Sequence, residues 1–467
     1  MTHLSSPTER MICENDLPMA VIGKNSRGDL IGTILCLFVG FVLRLAISLN
    51  HPNQLTEDRD VYLGIATNLA EGRGYSVPNS TSPTAFRPPL YPLGLAAGMM
   101  WFSPAIVVAG INLLTGVCTI WLTIGLGKRL QLGSLRFVAA MLTAIDPLLV
   151  LYTAQPMTES LCTCLATLWL CSMMGLCSMM GLGSMIGFAR QDHPQRPVDA
   201  LCTGIVFGLL VLCRPAFWLI PLVWGLGELL AIAIRERKSP IRRWIPFPSV
   251  FASWAYAGVG AMLVVAPWLI RNGIVFGVPI LTTTHGGYTL LLGNNPVFYQ
   301  EVVMQPWGTV WERESLLGWQ QELESQIDRD LGPQASEIQR DQWHSQQAKK
   351  VISANPGLFI AAVGHRIRSL WNTVPQGDAT NSTRGWGLQA VGLFYTAVLL
   401  TGGLGVILAL CREDRRQWLP LYVLIASVQL AHLVYWTNTR MRGPLTPAIA
   451  LLAVSVIPRR PSLTSRQ

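Results

Sequence analysis

Residues Glu57 to Pro92 read EDRDVYLGIATNLAEGRGYSVPNSTSPTAFRPPLYP. Acids, arginines, glycines and prolines crowd this stretch, and long hydrophobic segments flank it. A loop that only linked two membrane helices would need none of them. Asp58 and Asp60 offer bases, Arg87 offers a cation, and both flanks anchor the loop in a bilayer. The stretch reads as chemistry at a membrane surface.

Composition agrees. Hydrophobic residues make up 51% of the 467 and charged residues 13%, against about a quarter charged in soluble domains. The sixteen tryptophans suit a chain with two water–lipid interfaces. The net charge of +9 reads as charge asymmetry across a membrane, not as a nucleic-acid footprint. None of the ten cysteines shows zinc-ligand spacing, and they read as small apolar fillers. No cleavable signal peptide is evident in the polar residues 1–29.

Apolar runs near the twenty residues that a bilayer requires predict spans at about 30–49, 104–126, 137–152, 158–188, 199–213, 216–234, 249–270, 388–411, 418–436 and 444–458. Leu90–Phe102 is too short for a span and reads as a half-inserted segment. One set of connecting segments holds sixteen lysines and arginines, among them Lys128, Arg129, Arg136, Arg235, Arg412 and Arg460. The opposite set holds six: Arg59, Arg73, Arg87, Arg214, Arg440 and Arg442. Cationic loops stay in the cytoplasm, so both termini are expected inside and the 57–92 loop outside.

The expected organisation is a cytoplasmic tail (1–29), a membrane module (30–270) whose first outer loop is 50–103, an extracytoplasmic segment (271–387), further spans (388–458) and a cytoplasmic tail (459–467). The 271–387 piece opens on a glycine-rich, β-prone stretch, GVPILTTTHGGYTLLLGNNP, and then turns helical. Trp319, Leu323, Ile327 and Leu331 recur on one helix face. Asn355-Pro356 reads as a helix start, with Leu358, Ala362, Arg366 and Leu370 along the helix that follows. A near-repeat, CSMMGL-CSMMGL-GSMIGF, fills 171–188 and reads as a local duplication lengthening one span.

No phosphate-binding GxxxxGK[ST] loop and no dinucleotide fingerprint occurs. Nucleotide sugars are not supplied on the outer face, so a group-transfer enzyme working there needs a lipid-linked donor. Such a reaction requires a base for the acceptor, cations for the departing phosphate and a groove for the lipid. Asp58 and Asp60 are candidate bases or a solvated acidic turn, and Tyr62 shares Asp58's face if a helix begins there. Asp-Arg-Asp also has the three-residue form that holds a divalent metal in sugar-nucleotide enzymes. Arg87, Arg271, Arg440 and Arg442 are candidate phosphate ligands or interfacial anchors. Arg44, inside the first span, reads as a functional charge or as a side chain snorkelling outward. Glu159 either lines a cavity or starts a helix, while His285 and Asn294 stand in loops able to meet a sugar.

In order along the chain these motifs resemble the GT-C membrane glycosyltransferases, which include protein O-mannosyltransferases and lipid A aminoarabinose transferases. The resemblance rests on D-x-x-x-Y (Asp58 to Tyr62), A-x-N-L-x-x-G-x-G-Y-S (Ala66 to Ser76), R-P-P-L-Y-P (Arg87 to Pro92) and T-E-S (Thr158 to Ser160). It continues through Arg214-Pro215, Arg271-Asn272, Gly293 to Pro296, Asn355 to Trp371 and R-x-R-x-P (Arg440 to Pro444). The resemblance implies an all-α polytopic fold of about ten or more spans with a small, mostly α outer domain. It also implies a polyprenyl-phosphate sugar donor, inverting transfer to a glycan, lipid or protein acceptor, and a catalytic carboxylate at Asp58. The mannosyltransferases carry an Asp-Glu pair where this chain has Asp58-Arg59, which leaves open whether Asp58 acts alone or with Asp60. The expected site is extracytoplasmic, in a plasma membrane. The rival readings are a secondary transporter, against which the lack of two related halves argues, and a non-catalytic lipid-binding subunit.

Overall fold

A computed structural model describes residues 25–175, 197–238, 247–374, 376, 385–412 and 415–458. The near-repeat from residue 176 onward and Arg459, Arg460 and Arg466 of the C-terminal tail lie outside the described residues. Among the described residues ten α-helices precede the 277–374 segment: α1 (Asn25–Asn50), α2 (Tyr62–Ala70), α3 (Leu90–Met99), α4 (Pro104–Arg129), α5 (Leu135–Ala144), α6 (Pro147–Leu151), α7 (Glu159–Met173), α8 (Pro197–Cys213), α9 (Leu219–Lys238) and α10 (Phe247–Phe276). Within that segment lie α11 (Gly286–Leu292), α12 (Pro296–Phe298), α13 (Arg313–Leu331), α14 (Glu337–Ala354) and α15 (Pro356–Leu370). The chain returns through α16 (Gly385–Leu410), α17 (Leu419–Ala431) and α18 (Thr446–Val454). The one extended pairing among the described residues is an isolated antiparallel bridge between Ser76 and Pro83.

Each of the ten apolar runs overlaps a helix among the described residues, the 158–188 run only through Glu159–Met173. Among the described residues, α1, α4, α10 and α16 are long and apolar enough to cross a membrane, and α5 with α6 makes a fifth if that pair, bent by 45°, counts as one span. α7, α8 and α17 are apolar but shorter. Leu90–Met99 is a short helix within the run read as half-inserted.

The bend between α5 and α6 explains Arg44. Where α5 stops, its last carbonyls have no intrahelical partner. Arg44 crosses from α1 and donates to the Ala144 carbonyl at 2.8 Å and the Thr143 carbonyl at 3.4 Å. Asp146 starts α6 by accepting from the Leu149 amide at 3.0 Å, and Tyr395 donates to the same oxygen at 3.1 Å. Arg44 is therefore 1% exposed and caps a broken helix. It is neither snorkelling nor at the acidic loop. Gly116 makes room for it, because a Cβ there would lie 2.4 Å from the Arg44 Nε.

Helices α8 and α10 touch backbone to backbone. A Cβ at Gly204 would lie 1.9 Å from the Ala257 carbonyl oxygen, and one at Gly260 would lie 2.1 Å from that of Leu201. Small residues at such crossings allow close packing where lipid supplies no hydrophobic drive.

The β-prone stretch after α10 forms no strand, and its Gly286–Leu292 part is the helix α11. Asp341 of α14 accepts the Gly287 amide at 2.7 Å, and an anion at a helix start is favourable. A Cβ at Gly287 would meet the Asp341 carbonyl at 2.0 Å, so the glycine serves helix packing rather than a strand. Leu323 and Ile327 of α13 are buried, but Leu331 at its end is exposed. Ala362, Arg366 and Leu370 of α15 are buried and Leu358 is half-buried.

Candidate functional site

The loop from α1 to α3 is built before it is charged. Asn68 ties it together. Its amide donates to the Ser76 hydroxyl at 2.8 Å and to the Val77 and Ser80 carbonyls at 2.6 and 2.9 Å, while Arg73 donates to its oxygen at 2.9 Å. Arg271, at the end of α10, then clamps both arms of the loop, donating to the Thr84 carbonyl at 2.8 Å and the Tyr75 carbonyl at 2.9 Å.

Asp58 caps α2. Its two carboxylate oxygens accept the amides of Leu63 at 3.0 Å and Gly64 at 2.7 Å. Just after Asp60, at the start of α2, Val61 has φ +66°, a left-handed backbone that a β-branched residue rarely adopts. Asp58 faces the amides of α2, whereas Asp60 meets arginines.

Asp60 is the centre of an ion network. One oxygen lies 3.3 Å from Arg87, whose Nε also donates to the Asp60 backbone carbonyl at 2.7 Å. The other oxygen accepts from Arg440 at 3.0 Å. Arg440 reaches on to Glu159, with its Nε 3.2 Å from Oε1. Arg214 donates to that same Glu159 oxygen at 2.6 Å and to the Thr158 hydroxyl at 3.2 Å. Glu159 is 1% exposed and opens α7. Burial works against the Asp60 charge, but Arg440, Arg87 and Arg214 outweigh it and hold this carboxyl below the ordinary carboxylate range. Burial likewise opposes the charge on Arg440, and Glu159 and Asp60 outweigh it and raise its pKa. Three guanidiniums face two carboxylates, leaving one positive charge for an anionic ligand.

Aromatic rings wall the network. The Arg87 guanidinium carbon lies 5.3 Å from the Tyr62 ring centre and 4.9 Å from that of Phe86. Tyr62 packs edge-on against Tyr91 with centroids 5.5 Å apart. The loop after α1, the start of α7, the end of α8 and the segment before α18 all converge here. Basic residues mark the other end of the bundle, where Arg136 pairs with Asp29 at 2.5 Å and Arg412 donates to the Ser455 carbonyl at 2.9 Å.

Of the residues singled out from sequence, the structure brings together Asp60, Arg87, Glu159 and Arg440, with Tyr62 alongside. Five others stand outside the network, Asp58 as the cap of α2. Arg271 is the loop clamp. Arg442 donates to the Leu370 and Asn372 carbonyls at 3.1 and 2.8 Å, beyond the end of α15. Asn294 donates to the Leu290 and Val434 carbonyls, both at 2.8 Å, and so joins α11 to the chain after α17. His285 packs against Phe86 at 4.2 Å, and burial, with Arg87 nearby, pushes its pKa well below the usual histidine value. Arg214 was missed as a site residue, although the Arg-Pro pair after an apolar run was its signal.

Among the described residues no group of three His, Cys, Asp or Glu side chains could hold a metal ion. The Asp-Arg-Asp stretch does not fit one: a divalent ion at Asp60 would have to displace both arginines.

The fold has solved counterparts. The archaeal oligosaccharyltransferase AglB from Archaeoglobus fulgidus, in complex with an inhibitory peptide and a dolichol-phosphate, matches 92% of this chain with TM-score 0.51 and 16% identity. The apo form of the Archaeoglobus fulgidus oligosaccharyltransferase matches over the same 92% with TM-score 0.50 and 14% identity. The chain shares the fold of these oligosaccharyltransferases. It spans about half their length, 50% in each case. ArnT from Cupriavidus metallidurans bound to undecaprenyl phosphate matches 92% of this chain and 78% of its own, with TM-score 0.40 and 12% identity, too weak a likeness to argue from. No family model matches the chain, and no curated protein matches its sequence. The GT-C resemblance drawn from the motifs thus holds at the level of fold.

Proposed function

We propose that this chain is an inverting glycosyltransferase that moves a sugar from a polyprenyl-phosphate donor to an acceptor hydroxyl on the extracytoplasmic face of a plasma membrane, with both termini cytoplasmic. The observation that carries the reading is the network in which Asp60 joins Arg87 to Arg440 and Glu159 joins Arg440 to Arg214. Its surplus positive charge suits a phosphodiester in the ground state and the additional charge that develops as the sugar leaves. Arginine forks bind phosphate oxygens in pairs. The shared fold supports the same reading, since the AglB structure was captured with a dolichol-phosphate.

An apolar cavity on helices α7, which starts at Glu159, and α8, which ends just before Arg214, suits the lipid tail. This cavity, of about 530 Å³, opens between α7, α8, α9 and α10, and its walls include Trp169, Phe207, Trp218, Trp224 and Trp254. Trp218 stands four residues beyond Arg214, and Trp169 ten residues beyond Glu159, about 15 Å down α7. An isoprenoid in this slot would place its phosphate toward the arginines.

Transfer then follows in one displacement. Asp58, whose partners are backbone amides rather than guanidiniums, takes the acceptor's proton. The acceptor oxygen forms its bond to the anomeric carbon as the carbon–oxygen bond to phosphate breaks. The electron pair leaves with the lipid phosphate, held by Arg87, Arg214 and Arg440. Asp60 and Glu159 keep those guanidiniums aimed.

The experiment is mass spectrometry of surface glycans and glycolipids from cells with the gene, without it, and with the Asp58→Asn form. Loss of one sugar in the second and third supports the reading. An unchanged inventory in both refutes it.

A further inference from the structure

A second cavity, of about 300 Å³, lies among α11, α13 and α14 and shares no lining residue with the ion network. Clefts for small ligands begin near this size, about 300 Å³, so it has room for a sugar ring and none for a lipid tail. Its walls supply two kinds of contact. Phe86 and Tyr288 present aromatic rings. Glu324, Glu337 and Asp341 present carboxylates.

Those carboxylates are fixed in place. Glu337 accepts the Ala85 amide at 3.0 Å, and the Thr284 hydroxyl donates to the same oxygen. Asp341 is held through one oxygen by the Gly287 amide. Each therefore retains a second oxygen as an acceptor. Arg340 is committed to Glu324 at 2.6 Å and Asp328 at 3.2 Å, so the lining is net acidic and unsuited to phosphate or an acidic sugar. His344 also lines the cavity. It is 7% exposed, and its Nε2 is buried without a hydrogen-bond partner. Burial, with Arg340 nearby, lowers its pKa to about 4, so the ring is neutral at pH 7. An unpaired buried nitrogen is costly, and a ligand hydroxyl would satisfy it.

Hydroxyl donors for fixed carboxylates, a partner for a neutral imidazole and a C–H face for aromatic rings describe a neutral sugar. We infer that this cavity binds one neutral sugar residue of the acceptor, which makes the acceptor a glycan or a glycolipid. That role as acceptor site rests on the glycosyl-transfer reading. A donor sugar is bonded to the phosphate and must sit among the arginines, whereas this cavity meets them only across Phe86, whose ring underlies Arg87.

The test is saturation-transfer NMR on the full chain in nanodiscs, titrating maltose, cellobiose and lactose. His344→Phe keeps a ring and removes the nitrogen, and Glu324→Gln removes one charge; thermal unfolding confirms that both fold. At least one disaccharide is expected to bind the wild type, and at least tenfold more weakly to both variants. No binding by the wild type, equal binding by His344→Phe, or displacement of the sugar by a hydroxyl-bearing peptide overturns the inference. Titration of undecaprenyl phosphate on the same preparation separates the two readings. Phosphate-dependent lipid binding without a sugar response sinks the cavity assignment alone. A sugar response with phosphate-independent lipid binding sinks the transfer reading and leaves a carbohydrate site.

Discussion

Asp60 and Arg440 stand 380 residues apart in sequence and 3.0 Å apart in space. Their contact joins the first loop to the segment before the last helix, and Glu159 extends it to α7 and α8. The network exists only when both ends of the chain are assembled.

Arg440 bridges two carboxylates, which a lysine's single ammonium cannot reproduce with the same geometry. Arg440→Gln is expected to lower the transfer rate by about 10²-fold or more, the scale seen for removing one donor that stabilises developing charge. Arg440→Lys should recover only part of it. Rates per folded molecule check this, and full activity in Arg440→Gln would remove the residue from the site.

Asp58 has two separable duties, capping α2 and accepting a proton. Asparagine keeps one of the two acceptor oxygens that hold the Leu63 and Gly64 amides, and neither asparagine nor serine is a base. Asp58→Asn and Asp58→Ser should therefore lose about 1–3 kcal/mol of stability for each amide left unpaired, while the molecules that fold lose about 10²–10⁴-fold in rate. If activity tracks stability across the two, the carboxylate is only a cap.

The Asp60 carboxyl lies below its ordinary range because arginines outweigh burial. A depressed folded pKa gives stability that is present above the unfolded value, about 3.9, and is lost as pH falls through the folded value. The stability difference between wild type and Asp60→Asn should hold from pH 7 to 5 and shrink below about pH 3.9. Unfolding in detergent across that range measures it.

Arg44 satisfies carbonyls at the α5–α6 bend and touches no member of the network. Arg44→Met should cost about 1–3 kcal/mol per carbonyl left unpaired, lowering the yield of folded protein but not the activity of what folds. Gly116→Ala, which crowds the same guanidinium, should act in the same direction.

The helical fold was legible because hydrophobic run length is a linear property of the chain, although among the described residues only four or five helices are long and apolar enough to cross a membrane. The 57–92 loop was legible for another reason: acids, glycines and prolines have no use in a lipid-facing linker. Pairing was not legible. Arg87, Arg214, Arg271, Arg440 and Arg442 look alike in sequence, each beside an apolar run or a proline. Which of them meets a carboxylate and which meets a carbonyl depends on where helices end in space. Arg271 and Arg442 were drawn to carbonyls left open by the loop and by α15. Asp58 and Asp60 were likewise indistinguishable in sequence, although one meets amides and the other arginines in the fold.

The central claim is that Arg87, Arg214 and Arg440 hold a lipid phosphate. Native mass spectrometry of the full chain, titrated with undecaprenyl phosphate and with undecaprenol, tests it most directly. At least a tenfold preference for the phosphate is expected in the wild type, abolished in Arg214→Gln and Arg440→Gln. Equal affinity for phosphate and alcohol in the wild type would contradict it.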